Sequence, residues 1–259
     1  MHPILLQIGP FTVYSFGVLM ALGFYVAATV AAGEYHRRGG DKELMWNFLV
    51  WVFIAGLVGS KVLSIVGDLG ALLHDPVHQL FSGSGFVWYG GLLGGFAAAV
   101  PLSRHYHMRF PLILECTAPA LAIGQAIGRI GCHVAGDGDW GTVTDLPWAV
   151  AYENAIVGWD HPPGVGVHPT PLYEAFAYTS VFLVLMAIRK KGYAEGTSFA
   201  VYLVGASIAR FFVEFIRINP VLALDLTQAQ WIAIVLFFCG AGWLVRHPPA
   251  EPVARRLAV

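Results

Sequence analysis

Two arginines stand in stretches that are otherwise apolar. Arg129 closes LILECTAPALAIGQAIGRIG, and Arg210 lies inside TSFAVYLVGASIARFFVEFIR. A guanidinium keeps its proton in a protein, and at bilayer depth it costs about 3 kcal/mol on insertion scales unless it faces a wet cavity or an anion. Its planar fork of donors suits a phosphate better than a lysine's point charge does. An anion is therefore expected between these segments, and a lipid phosphate is the one most available at that depth. Lys61, Glu115, Glu174 and Glu214 also fall inside or at the ends of apolar runs. Arg210 and Glu214 are four apart on one helical face, so an ion pair is expected there. Arg129 has no such neighbour.

Other residues carry weaker signals. Asp137 and Asp139 in GDGDWG resemble a DxD metal site, but a glycine-rich turn favours Asp in any case, so no metal is expected. His168, in VHPTPLYE, is either a proton carrier near neutral pH or a residue that orders its loop. Tyr173 and Glu174 follow, with Glu174 placed in the first turn of a helix, where the dipole favours an acid. Gly128 and Gly131 flank Arg129 and either pack helices closely or let a ligand approach the backbone. Cys116, Cys132 and Cys239 lack CxxC spacing, which excludes a disulfide framework or zinc site of the usual pattern. Cys132 reads as a buried, inert thiol, the alternative being a thiol activated by Arg129.

A membrane bundle must position these groups. The 259 residues are 57% hydrophobic and 12% charged, where soluble domains carry about 25% charge, and the mean hydropathy is +0.64. At roughly 20 apolar residues per crossing, spans are predicted at 12–33, 44–66, 86–103, 111–131, 172–188, 196–216 and 229–245. The expected fold is all-α, a polytopic membrane protein of seven transmembrane helices forming a single domain over 1–259. Basic residues follow the first, third, fifth and last spans, while 67–85, 132–170 and 218–228 contain none. The positive-inside rule then puts the N-terminus outside and the C-terminus in the cytoplasm. A net charge of −1 without a basic stripe argues against nucleic acid. The N-terminal stretch reads as a short apolar segment on the outer face and has no cleavable signal. The loop 132–170, rich in Gly, Pro, Asp and Trp, is expected to form a small ordered cap at headgroup level, with Trp140, Trp148 and Trp159 in it.

Five strings, in order, resemble blocks of the prolipoprotein diacylglyceryl transferase family: YSFGVLMALGF, VWYGGLLGG, GRIGCHVAGDGDWG, HPTPLYE and RFFVEFIR. The resemblance spans nearly the whole chain. It implies a bacterial inner-membrane enzyme with a periplasmic cap and no cofactor, which moves the diacylglyceryl group of phosphatidylglycerol to the lipobox thiol of a prolipoprotein and releases glycerol phosphate. Arg129 and Arg210 match the family's arginines. Tyr89 stands where the family has a histidine before two glycines, and with an ordinary pKa near 10 it is a poor base. Cys132 replaces an asparagine, Asp137 a glutamate with one extra residue before Trp140-Gly141, Phe16 a tyrosine and Lys61 an arginine. The candidate site is thus Arg129, Arg210, Tyr89 and His168 as catalytic residues, with Gly131, Asp137, Tyr173, Glu174, Glu214 and Lys61 around the substrate. Two alternatives stand beside it: a paralogue that uses another acceptor, and a lipid-binding or lipid-translocating protein that breaks no bond.

Overall fold

The computed structural model describes residues 1–9, 11–69, 75–76, 87–191 and 193–247. Most of the expected loop 67–85, residue 86 of the third expected span, and Arg255 and Arg256 lie outside the described residues. The elements are β1 (Ile4–Ile8), β2 (Phe11–Tyr14), α1 (Ser15–Arg37), α2 (Lys42–Gly67), α3 (Trp88–His105), α4 (Phe110–Ala135), α5 (Thr170–Ile188), α6 (Thr197–Val213), β3 (Val221–Ala223), β4 (Leu226–Thr227) and α7 (Gln228–Arg246). Short 3-10 turns extend α5 to Lys191 and α6 to Ile216.

Among the described residues, six of these helices (α1, α2, α4, α5, α6 and α7) are long and apolar enough to cross a membrane. The protein is a multi-pass membrane protein. The third expected span is present as α3, but its 18 residues include four glycines and end in Ser-Arg-His, which lowers its apolar length. The fourth span runs further than expected, so Arg129 lies six residues before the end of α4 rather than at its last turn. The N-terminal stretch is a two-stranded antiparallel hairpin, pairing Gln7 with Thr12 and Ile8 with Phe11, where only an apolar segment was expected. Gly9, with φ 57°, begins its turn in a backbone region that favours glycine.

The chain folds as two compact units, one of Met1–Ala31 with Leu114–Val259 and one of Ala32–Ile113. In the first, Ala118 and Ala122 of α4, Leu185 of α5 and Tyr202 of α6 form a buried core. Two buried polar groups there have clear partners, as low dielectric favours. The Tyr202 hydroxyl donates to Gln125 Oε1 at 2.9 Å. Glu115 of α4 is buried and receives the amides of Gly196 (2.9 Å) and Ser198 (2.8 Å) and the Ser198 hydroxyl (2.5 Å), so it caps the start of α6 from a neighbouring helix. Thr227 and Gln230 form a capping box at the start of α7. Gly131 faces α1, where a Cβ would come within 3.2 Å of the Leu19 side chain, so its place is one of close helix packing.

Between α4 and α5 the chain is folded around aromatic rings. Trp140 stacks on Tyr152 with centroids 5.0 Å apart, Trp159 meets Trp140 edge-on, and Val167 completes the cluster. Bridges join Val167 to Val143 and Val150, and Gly141 to Arg217. That last bridge fixes the end of α6 against this segment.

In the second unit α2 and α3 pack closely. Ser60 Oγ donates to the Val87 carbonyl (2.8 Å), and the Val87 amide donates back to the Ser60 carbonyl (3.2 Å). This contact brings Lys61 and Tyr89 to the same end of the pair. Asp41 caps α2 by accepting the Glu43 amide at 2.9 Å.

Candidate active site

Three helices of the first unit send charged side chains to one place. Glu174, on α5, is fully buried and sits at its centre. It accepts from Arg210 Nη1 of α6 at 2.7 Å and Arg217 Nη1 at 3.2 Å, and pairs with Arg129 Nε of α4 at 3.1 Å. Asp139 bonds the other sides of Arg129 and Arg217. Glu214 faces Arg210 Nη2 at 3.1 Å and Arg217 Nε at 3.7 Å, and accepts from Asn219 (2.7 Å) and the Thr227 hydroxyl (2.8 Å). Three guanidiniums and three carboxylates therefore share one cluster, and their formal charges cancel.

The expected pair of Arg210 with Glu214 is present. Arg129, expected to lack a carboxylate neighbour, has two, because its partners come from Asp139, ten residues on, and from another helix. The placement of Glu174 in a first helical turn is also corrected. It is the fifth residue of α5, past the first turn, and its partners are arginines rather than the helix dipole.

The arginines differ in what they leave open. Arg217 is 6% exposed, whereas Arg129 and Arg210 are 24% and 23% exposed. Among the described residues nothing accepts from Arg129 Nη2 or Arg210 Nε, so both guanidiniums offer donors to an incoming oxyanion.

Asp137 and Asp139 part company at a turn in which Gly136 (φ 64°) and Gly138 (φ 91°) both take left-handed backbone. Asp139 turns to the arginines, and the Thr170 hydroxyl binds its carbonyl. Burial raises its pKa, but Arg217 and Arg129 outweigh that and hold the carboxyl below the usual range. Asp137 turns to Cys132, and burial pushes its carboxyl above the usual range. Cys132 Sγ and one oxygen from each aspartate lie within 4.8 Å of one another, a spacing a metal ion would accept. Both Asp139 oxygens, however, already bind guanidiniums, whose charge opposes a cation there.

His168 and Tyr173 lie beside this cluster. The Gly141 amide donates to the His168 carbonyl at 2.9 Å, and the His168 ring meets the Tyr173 hydroxyl through Nδ1 at 3.2 Å. Trp148 Nε1 donates to the same hydroxyl at 2.7 Å. Of the expected site residues, Arg129, Arg210, Glu174 and Glu214 are thus in direct contact. Asp137 and His168 sit in the segment between α4 and α5, Tyr173 is in the first turn of α5, Gly131 lies on α4 facing α1, and Lys61 and Tyr89 belong to the second unit.

A family profile described as prolipoprotein diacylglyceryl transferase matches residues 3–246. The chain belongs to that family. Relatives named phosphatidylglycerol–prolipoprotein diacylglyceryl transferase include one from Halalkalibacterium halodurans, 29% identical over 240 residues, covering 92% of this chain and 83% of the relative. One from Leptospira interrogans is 32% identical over 238 residues, covering 82% and 72%. One from Clostridium tetani is 28% identical over 220 residues, covering 85% and 87%.

Within this diacylglyceryl transferase family member, two residues of the cluster escaped reading from sequence. Arg217 had a usable signal, since it follows Arg210 by seven residues and Glu214 by three, spacings that return to one helical face. Asp139 had none that separated it from Asp137.

Proposed function

We propose that the protein transfers the diacylglyceryl group of phosphatidylglycerol to the cysteine thiol of a prolipoprotein lipobox and releases glycerol phosphate. The observation that carries this reading is the convergence of Arg129 and Arg210 on one buried carboxylate, each with open donors, in a chain of this family. The lipid phosphate sits on those donors. When the thiolate attacks the glycerol carbon, the departing phosphate gains charge, and fixed guanidiniums in a site of low dielectric stabilise it without reorganising. Arg217 and the three carboxylates hold the two arginines in place. Within the first unit, His168 contacts the reacting groups, and Tyr173, Glu174 and Glu214 shape the substrate site.

The same reading places the chain in the bacterial inner membrane as one functional domain, with α3 as a seventh crossing, the N-terminus outside and the C-terminus in the cytoplasm. The aromatic segment between α4 and α5 is then a periplasmic cap over the arginines. Positive charge supports this orientation, since Arg189, Lys190 and Lys191 lie at the end of α5 away from that segment, which itself contains no Lys or Arg.

The test uses the full-length protein in phosphatidylglycerol vesicles with a lipobox peptide, following peptide mass and glycerol phosphate release. The wild type adds one diacylglyceryl group, and Arg129→Ala lowers the rate by about 10²–10³-fold, the scale of losing one oxyanion donor. Lipid binding without release of glycerol phosphate by the wild type would point instead to a non-catalytic lipid carrier.

A further inference from the structure

The arginines account for binding and for the leaving group, but a thiol must lose its proton before it attacks a carbon. Of the two aspartates after α4, Asp139 has both oxygens on guanidiniums. Asp137 forms no ion pair among the described residues. It accepts the Asp139 amide at 3.2 Å, has an oxygen within 4.8 Å of the Cys132 sulfur, and stays partly open to the surroundings. The Cys132 sulfur also lies 3.9 Å from Arg129 Nη1. The Cys132 sulfur therefore lies between a nearby carboxylate and a phosphate-directed arginine, the two groups a substrate thiol requires. His168, the other base beside the arginines, has Nδ1 against the Tyr173 hydroxyl.

We propose that Asp137 is the general base of the transfer and takes the proton of the lipobox cysteine. This rests on the transferase reading above. The S–H proton moves to an Asp137 oxygen, and the sulfur electron pair forms the bond to the glycerol carbon. The carbon–oxygen bond breaks with its pair on the phosphate oxygen, whose charge meets Arg129 and Arg210. The proton on Asp137 then leaves to water. The groups facing Asp137 are Cys132, Asp139, Arg129 and Tyr152. Burial and the neighbouring Asp139 raise its basicity, while Cys132, the Asp139 amide and Arg129 moderate it. A carboxylate shifted upward is a better match for a thiol.

Asp137→Asn is compared with the wild type in phosphatidylglycerol vesicles, using a lipobox peptide and its selenocysteine counterpart, whose selenol is ionised at neutral pH. The variant slows transfer to the cysteine peptide by about 10²–10³-fold at pH 7. That rate climbs about tenfold per pH unit toward the thiol's own pKa near 8.5. Transfer to the selenocysteine peptide stays within a few-fold of wild type, and phosphatidylglycerol affinity is unchanged. If the variant slows both peptides alike, loses lipid affinity, or transfers to cysteine at the wild-type rate, Asp137 is not the base. If Asp137→Asn does not fold, Asp137→Ser read with the same two peptides makes the same distinction. A wild type inactive toward both peptides would overturn the transferase reading itself, a separate result.

Discussion

Glu115 and Glu174 are both buried carboxylates on neighbouring apolar helices of one unit, yet they solve the cost of burial in different ways. Glu115 binds backbone amides and a hydroxyl at the start of α6. Those dipoles belong to the helix and cannot leave it. Glu174 binds three arginines, two of which keep donors open. A carboxylate on fixed dipoles fastens a helix end, whereas a carboxylate on charged side chains holds cations ready for another anion. Burial of a charge alone therefore does not mark a functional group. The chemistry of its partners does.

The largest effect that sharpens this contrast is expected from Glu174→Gln. It leaves three guanidiniums against two carboxylates, and breaking a buried ion pair costs about 3–5 kcal/mol. Transfer activity should fall at least as far as in Arg129→Ala, and thermal unfolding in detergent should show the destabilisation. Full activity in that variant would break the comparison. Glu115→Gln comes next. Loss of charge-assisted hydrogen bonds should cost about 1.5–3 kcal/mol, read as a lower melting temperature, while the transfer rate at a permissive temperature stays within about twofold of wild type. A folded Glu115→Gln without activity would mean the cap also serves the reaction.

The smallest effect concerns Asp139. Its carboxyl has a lower pKa in the folded protein, so its stabilising contribution is present above the unfolded value of about 3.9 and is lost as pH falls through the folded value. The gap in melting temperature between wild type and Asp139→Asn should be constant near neutrality and narrow below about pH 4. A gap that widens on acidification would contradict the arginine pairing.

Hydropathy made the apolar helices legible, with ends displaced by a few residues, because burial in lipid selects composition along a single segment. Arg129 and Arg210 stood out for the same reason. Their partners did not, since Glu174 and Asp139 reach them through packing and a glycine turn, which local spacing does not encode. The sequence frame put Asp137 in the family's acidic position, and the fold adds Asp139, which the turn at Gly136 and Gly138 directs toward the arginines. The N-terminal hairpin was illegible because a two-residue alternation of apolar and polar groups is missing when both faces are apolar.

The cancelling charges of the cluster bear on turnover. A phosphodiester brings one negative charge to a neutral centre, while the monoester released from it carries between one and two near pH 7. The open donors of Arg129 and Arg210 can hold the first anion, but the carboxylates beside them repel the heavier charge of the second. The centre that assists bond breaking is thereby poorly suited to retaining what it has made, and the product departs under the same field that gathered the substrate.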